Sequence, residues 1–95
     1  MALKSLSGKI ALVTGAGQNI GRGIALSLSA SGAIIVVNGR DNEGLVSETV
    51  AEIKKNGGNA VGYMADIADP ISVKTLIDKI KSDLGGLDIL ICNAG

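Results

Sequence analysis

Four short runs of apolar residues alternate along the chain with three longer segments of helical periodicity. The runs are almost continuously apolar, which is typical of parallel strands buried on both faces. They cover residues 9–14, 33–38, 59–65 and 87–92. The pattern therefore predicts four strands separated by three helices.

The helical segments carry recognisable start and stop signals. Asp69 is placed as the N-cap of the third helix with Pro70 at its first position, and Gly85 follows its last apolar residue. Gly32 follows the first helix and is suited to a left-handed cap. The predicted helices cover residues 20–31, 42–56 and 70–84.

Strands that alternate with helices predict right-handed crossovers and a parallel sheet. One reversal of direction gives the strand order 3-2-1-4. The predicted fold class is α/β, a truncated, Rossmann-like doubly wound parallel sheet of four strands with three helices, in one domain over residues 1–95. The first two helices should share one sheet face. We therefore expect an exposed apolar patch near the third helix, an unpaired edge at the fourth strand, and self-association through that face or edge.

Composition narrows the function classes. Apolar residues make up 46% of the chain and charged residues 19%, with nine basic and nine acidic side chains, so disorder and a nucleic-acid partner are both disfavoured. The apolar runs are too short for a membrane span, and a single cysteine without a secretory signal favours a cytoplasmic location. The chain contains no His, Trp or Phe, so no metal site is expected and a His base is excluded.

The segment "TGAGQNIGRG", residues 14–23, lies between the first strand and the first helix. Gly15 can make the tight turn, and Gly21 lets the helix start close to the sheet. The free amides of the helix would then face an anion such as a pyrophosphate. The loop is one residue longer than the G-x-G-x-x-G fingerprint, because Ile20 occupies the place of its third glycine. The alternative is a short glycine-rich turn without a ligand.

The longer spacing, T-G-x-x-x-[G or A]-x-G, resembles the short-chain dehydrogenase/reductase family, as does the opening "LSGKIALVTGA". The resemblance continues through "AD" at 65–66 to "NAG" at 93–95, so it covers the whole chain. Asn19 stands where the family commonly has Gly or Ala, but Asn tolerates unusual backbone dihedrals. The resemblance implies a dinucleotide cofactor held by Gly15, Gly17, Gln18, Asn19, Ile20, Gly21, Arg40, Asp66, Ile67, Asn93, Ala94 and Gly95.

The end of the second strand bears on which dinucleotide is bound. Gly39 lies where NAD-type members of the family typically carry an acidic residue, and Arg40 follows it. An arginine accommodates a 2′-phosphate, whereas a carboxylate selects the free 2′-hydroxyl. We therefore predict NADP, with NAD as the alternative, in which Arg40 is a solvated loop residue or Asp41 binds the ribose.

Two further cofactor contacts are implied by the resemblance alone. Asp66 would lie near the adenine amino group, although a solvated turn aspartate is the alternative. Asn93 and the two residues after it would line the nicotinamide side.

Cys92 is predicted to be a small core residue at a strand end rather than a reactive thiol.

Catalysis in the family resembled here uses a tyrosine, a lysine four residues later, a serine and an asparagine, all beyond the fourth strand. Tyr63 is the only tyrosine, Ile67 lies four residues after it, and its position within a strand predicts packing. No catalytic residue is therefore expected, and the chain alone should be inactive. The family implies NADP-linked carbonyl/alcohol interconversion, as in a 3-oxoacyl or other ketone reductase. The alternative is a non-catalytic nucleotide-binding or interaction module.

Overall fold

The computed structural model describes residues 5–16 and 19–93, so the predicted site residues Gly17, Gln18, Ala94 and Gly95 lie outside the described part. Strands and helices alternate as predicted. They are β1 Ile10–Val13, α1 Asn19–Ala30, β2 Ile34–Gly39, α2 Glu43–Lys55, β3 Asn59–Met64, α3 Pro70–Leu84 and β4 Ile89–Ile91. The prediction differs mainly at the strand ends, because β2 includes Gly39 and β4 is only three residues long.

All four strands are parallel and follow the order β3-β2-β1-β4, which confirms the predicted doubly wound topology. β1 is central: Ala11 is in register with Ile35 of β2 and with Ile89 of β4. The carboxyl ends of parallel strands lie at one edge of a sheet, and ligands of such sheets bind outside that edge. The loops after β1, β2, β3 and β4 therefore meet where a site is expected.

The two sheet faces have separate apolar cores. One core joins alternate β1 residues such as Ala11 and Val13 to α1 and α2, and the other joins Leu12 to α3. This arrangement confirms that α1 and α2 share a face and that α3 covers the other. Burying each aliphatic side chain contributes about 1.5–3 kcal/mol, so both cores hold the sheet between the helix layers.

Local capping chemistry defines the ends of α3. Asp69 accepts a 3.0 Å hydrogen bond from the backbone N–H of Ile71, and Pro70 begins the helix. Gly85 ends it with a left-handed φ of +90°. The N-cap Asp69, the first residue Pro70 and the end of the helix before Gly85 were predicted, as was the left-handed Gly32, whose φ is +99°.

The first and last strands are joined at their amino ends by Asp88. Its backbone N–H donates to the carbonyl of Ile10 at 2.9 Å, and its side-chain Oδ2 accepts from the N–H of Ile10 at 2.9 Å. One residue therefore satisfies both backbone groups at the start of β1. These bonds fix the register in which β4 lies against the central strand.

The β4 side of the sheet is open in the part of the chain that the structure describes. No strand there pairs with the outer edge of β4, and Leu90 is 54% exposed on the same face as its register partner Leu12. The predicted unpaired edge is thus observed in these residues, and Leu90 is an exposed apolar side chain beside it. Cys92 is exposed, so its predicted core position was wrong, because β4 ends at Ile91 and the side chain lies beyond the sheet.

None of the helices in residues 5–16 and 19–93 combines the length and apolarity needed to cross a bilayer.

Candidate functional site

The turn after β1 is packed directly against the start of α1. A Cβ atom added to Gly21 would lie 2.1 Å from the carbonyl oxygen of Gly15 and 2.6 Å from Nδ2 of Asn93. Neither distance leaves room for a side chain. Gly21 is therefore the residue that lets the β1 turn, the first turn of α1 and the segment after β4 meet at one point.

The amino end of α1 begins with a strained backbone. Asn19 has a φ of +55°, in the left-handed region, and Gly15 in the preceding turn has a φ of +62°. Asn is among the few side chains that occupy this region readily, so Asn fits the observed backbone at position 19. This confirms the predicted tolerance at position 19.

The same helix end is suited to an anion. The first N–H groups of a helix have no partner within it, and its dipole makes that end positive. The first turn of α1 carries no acidic residue, and Ile20 is 73% exposed beside it. An anion approaching this end would meet backbone donors and no opposing carboxylate on the same turn.

Thr14 connects the site to β4. Its backbone N–H donates to the carbonyl of Ile91 at 3.0 Å, and its hydroxyl oxygen accepts from the backbone N–H of Asn93 at 2.9 Å. The side chain thereby holds Asn93 near Gly21. Sequence reasoning missed this role, although a hydroxyl residue directly after an apolar strand was a usable signal.

Asn38 plays a similar role at the end of β2. Its buried side-chain Nδ2 donates to the carbonyls of Tyr63 and Ala65, at 3.2 and 3.4 Å, and its backbone carbonyl accepts from the N–H of Ala16 at 3.0 Å. The amide therefore ties the ends of β2 and β3 to the β1 turn. Sequence reasoning also missed this residue, whose signal is a single polar amide closing an apolar run.

Arg40 stands between two clefts at the carboxyl edge of the sheet. Its Nε lies 3.9 Å from Oδ2 of Asp41 and 3.8 Å from Oδ1 of Asp66, and its side chain is 66% exposed. Ion pairs this long and exposed contribute little stability, so a stronger anionic partner can replace them. One cleft is lined by Gly15, Gly39, Arg40, Asp41, Asn42, Leu45 and Val46, and the other by Gly15, Asn38, Arg40, Ala65, Asp66, Ile67 and Ala68.

Asp66 forms the turn between β3 and α3. Its Oδ1 accepts from the N–H of Ala68 at 2.9 Å, and its own backbone N–H donates to the hydroxyl of Ser72 at 3.0 Å. Asp66 is therefore a turn residue, which is the alternative that the sequence left open. Ile67 follows on the wall of the second cleft, so these two predicted residues lie together beside Arg40.

The predicted site residues that the structure describes thus fall into two neighbouring groups. One group forms the junction of the glycine turn with Asn93, and the other lines the clefts beside Arg40. Gly15 belongs to both, since it contacts the Gly21–Asn93 junction and lines both clefts. A parallel sheet with a glycine turn leading into a helix, and clefts at the next strand ends, defines a nucleotide-binding class of fold. The sequence matches the short chain dehydrogenase family over residues 9–95, and the chain belongs to that family.

Individual relatives are reductases and dehydrogenases. A versicolorin reductase of Emericella nidulans is 46% identical over 90 residues, which are 95% of this chain and 34% of that protein. A hydroxynaphthalene reductase-like protein of Metarhizium brunneum is 47% identical over 92 residues, 97% of this chain and 34% of that protein. The chain therefore spans about a third of the length of these curated relatives.

Solved structures share the fold. A short-chain dehydrogenase from Burkholderia cenocepacia in complex with NADP superposes with a TM-score of 0.89 at 41% identity, over 95% of this chain and 37% of that one. The family uses NAD(P). The predicted family and fold class are both confirmed.

Proposed function

We propose that this chain binds NADP(H) and forms the cofactor-binding portion of an oxidoreductase that interconverts a carbonyl and an alcohol by hydride transfer. The observation that carries the proposal is the junction of Gly15, Gly21 and Asn93, where any side chain at position 21 would be excluded. Such a junction opens the amino end of α1 to the pyrophosphate of a dinucleotide. Gly17, Gln18, Asn19 and Ile20 complete this loop in the proposal.

The adenosine half is assigned to the clefts on either side of Arg40. The guanidinium offers the planar donor geometry that suits a 2′-phosphate, and Gly39 contributes no competing carboxylate. A bound phosphate would replace the long contacts that Arg40 makes with Asp41 and Asp66. Asp66 and Ile67 line the cleft assigned to the adenine.

The segment after β4 is assigned to the nicotinamide end. Thr14 holds the backbone of Asn93 beside the glycine turn through a 2.9 Å hydrogen bond. Asn93, Ala94 and Gly95 form this end of the site in the proposal, because small residues permit close approach of the cofactor.

Binding can be tested by titrating the chain with NADPH and NADH and following nucleotide fluorescence. We expect NADPH to bind more tightly. Arg40→Ala should weaken NADPH binding about tenfold, because a charge-assisted hydrogen bond to phosphate is lost, while leaving NADH binding unchanged. Lys54→Ala, which removes one positive charge from the opposite end of α2, should change neither. Tighter NADH binding that is insensitive to Arg40→Ala would contradict the NADP assignment.

Asp41 provides a second arm of that experiment. Its carboxylate lies near Arg40 and would repel a 2′-phosphate. Asp41→Asn should therefore tighten NADPH binding and leave NADH binding almost unchanged. Weaker NADH binding in this variant would instead assign Asp41 to the ribose hydroxyls, which is the NAD alternative.

Hydride transfer is proposed to require residues that this sequence does not contain. The hydroxyl of Tyr63 donates to Oδ2 of Asp83 at 2.6 Å, and this bond raises the pKa of Tyr63 above its ordinary value. A catalytic acid/base needs a pKa near the working pH, so the shift opposes such a role. Tyr63 instead packs against the α3 core, as predicted.

Turnover is tested with NADPH and a panel of ketones and 3-oxoacyl thioesters, the proposed substrate class. We expect no oxidation of NADPH by the chain alone. Oxidation above the rate without protein, and abolished by Gly21→Ala, would show that the chain carries catalytic groups of its own.

We further propose that the chain associates with itself through the sheet face around Leu90. The exposed leucine and the open edge of β4 support this proposal. An exposed apolar side chain loses unfavourable contact with water when a second surface covers it.

A further inference from the structure

One valine of α2 occupies the side-chain space of two glycines on neighbouring strands. A Cβ atom added to Gly39 would lie 2.4 Å from Cγ2 of Val46, and a Cβ atom added to Gly62 would lie 2.6 Å from Cγ1 of the same residue. Val46 is only 4% exposed. Each methyl group therefore fills the place of one missing side chain.

Val46 cannot easily give way to a side chain at position 39. Valine in a helix keeps one strongly preferred χ1 rotamer, and a rotation that moves one methyl away from Gly39 also displaces the methyl above Gly62. Met64 is the next neighbour of that space, with its Sδ and Cε at 3.6 Å, which is ordinary contact for a flexible side chain. Val46 is thus the obstacle, and only a shift of α2 would relieve it.

Val46 also belongs to the wall of the cleft beside Arg40, together with Gly39. A carboxylate at position 39 would accept hydrogen bonds from ribose hydroxyls and repel a 2′-phosphate. We infer that Val46 determines the 2′ specificity of the nucleotide site, because it keeps residue 39 a glycine and leaves the 2′ position to Arg40. This inference rests on the proposed function. It assigns the choice of cofactor partly to the packing of α2.

The test compares Gly39→Asp alone with two double variants. The first double variant combines Gly39→Asp with Val46→Ala, which removes the methyl groups that face positions 39 and 62. The second double variant is the matched control. It combines Gly39→Asp with Val50→Ala, which makes the same truncation one helical turn later. Val50 lies over Gly62, with Cγ2 3.5 Å from the added Cβ position, and is not among the three nearest contacts of Gly39. Thermal unfolding and the dissociation constants of NADPH and NADH are measured for each protein and for the wild type.

Gly39→Asp alone should lower the Tm and weaken the binding of both nucleotides. Adding Val46→Ala should raise the Tm above that of Gly39→Asp and reverse the preference, so that NADH binds about tenfold more tightly than NADPH. Adding Val50→Ala should do neither. The change in preference separates a specificity role from a merely structural one, which would alter both dissociation constants together.

Three results would overturn the inference: Gly39→Asp alone with the wild-type Tm and a preference for NADH, equal rescue by Val50→Ala, or failure of both Gly39→Asp and its Val46→Ala double variant to fold. In each case NADPH binding by the wild type would leave the proposed function intact. A wild-type chain that binds neither nucleotide would refute the proposed function, and the specificity role of Val46 with it.

Discussion

The backbone N–H of Asn93 donates a 2.9 Å hydrogen bond to the hydroxyl of Thr14, across 79 positions of sequence. This bond links the carboxyl ends of the central and last strands. It also holds the Asn93 side chain where it contacts the space beside Gly21. The geometry of the glycine turn and that of the segment after β4 are therefore coupled through one hydroxyl group.

Replacing Thr14 by Val keeps the shape of the side chain and removes the hydroxyl. We expect a loss of about 1–3 kcal/mol in the free energy of unfolding, because a backbone N–H loses its acceptor, together with weaker nucleotide binding. Thr14→Ser retains the hydroxyl and should keep most of both. Urea unfolding and nucleotide titration measure the two effects, and equal behaviour of the Val and Ser variants would contradict the coupling.

Gly21 and Gly23 provide a matched pair within α1. Gly21→Ala places a methyl group against the Gly15 carbonyl, so the turn must move, and nucleotide binding should fall at least about tenfold with some loss of stability. Among the described residues, Gly23 has no atom within 4 Å of its added Cβ position apart from its own helix and chain neighbours, so Gly23→Ala should bind normally and gain about 0.5–1 kcal/mol. Isothermal titration and thermal unfolding compare them. Equal nucleotide affinities in the two variants would show that the close packing of Gly21 has no bearing on binding.

Tyr63 gives the fold a pH dependence in the alkaline range. The hydrogen bond to Asp83, then desolvation and the Asp83 charge, raise the pKa of Tyr63 above its ordinary 10.0. The folded state therefore holds the phenol proton more tightly than the unfolded state. The resulting stability is fully present below the unfolded pKa and is lost as the pH rises through the folded one.

Phenolate absorbance follows this titration without interference, since the chain has one tyrosine and no tryptophan. Asp83→Asn should lower the pKa of Tyr63 towards its ordinary value. Asp78→Asn is the control on the same helix, because Asp78 pairs with Lys74 instead. An unchanged midpoint in Asp83→Asn would remove Asp83 as the cause of the shift.

Self-association should depend on Leu90. Leu90→Ser makes the open face more polar and should shift the chain towards monomer in sedimentation velocity. Ile71→Ser is the control, since Ile71 is 77% exposed on α3 and lies outside the sheet face. A wild-type chain that is monomeric at all concentrations would contradict the proposed association, as would an equal effect of the two variants.

Features that depend on neighbours in sequence were predictable. The limits of α3 followed from Asp69, Pro70 and Gly85, whose capping chemistry acts within one helical turn. The tolerance of position 19 for Asn followed from the same kind of local argument, whereas its left-handed φ was not predicted. The order of the strands followed from handedness and from the alternation of strands and helices, which also depend on short segments.

Features that depend on register between distant segments were not predictable. Nothing near Val46 in sequence indicates that it lies above Gly39 and Gly62, because the contact requires α2 to pack on two strands at a particular height. Cys92 was misplaced because β4 ends one residue earlier than its apolar run. Single-residue shifts at strand ends decide exposure, and hydrophobic pattern alone does not resolve them.

The double hydrogen bond between Ile10 and Asp88 joins positions 78 residues apart, so β1 gains β4 as a neighbour only after the residues between them have been synthesised. Until that moment β1 is an apolar segment with one side unoccupied. Long-range pairing of this kind slows folding and prolongs the exposure of apolar, aggregation-prone surface. During translation, β1 would thus stay accessible to chaperones until β4 has been made.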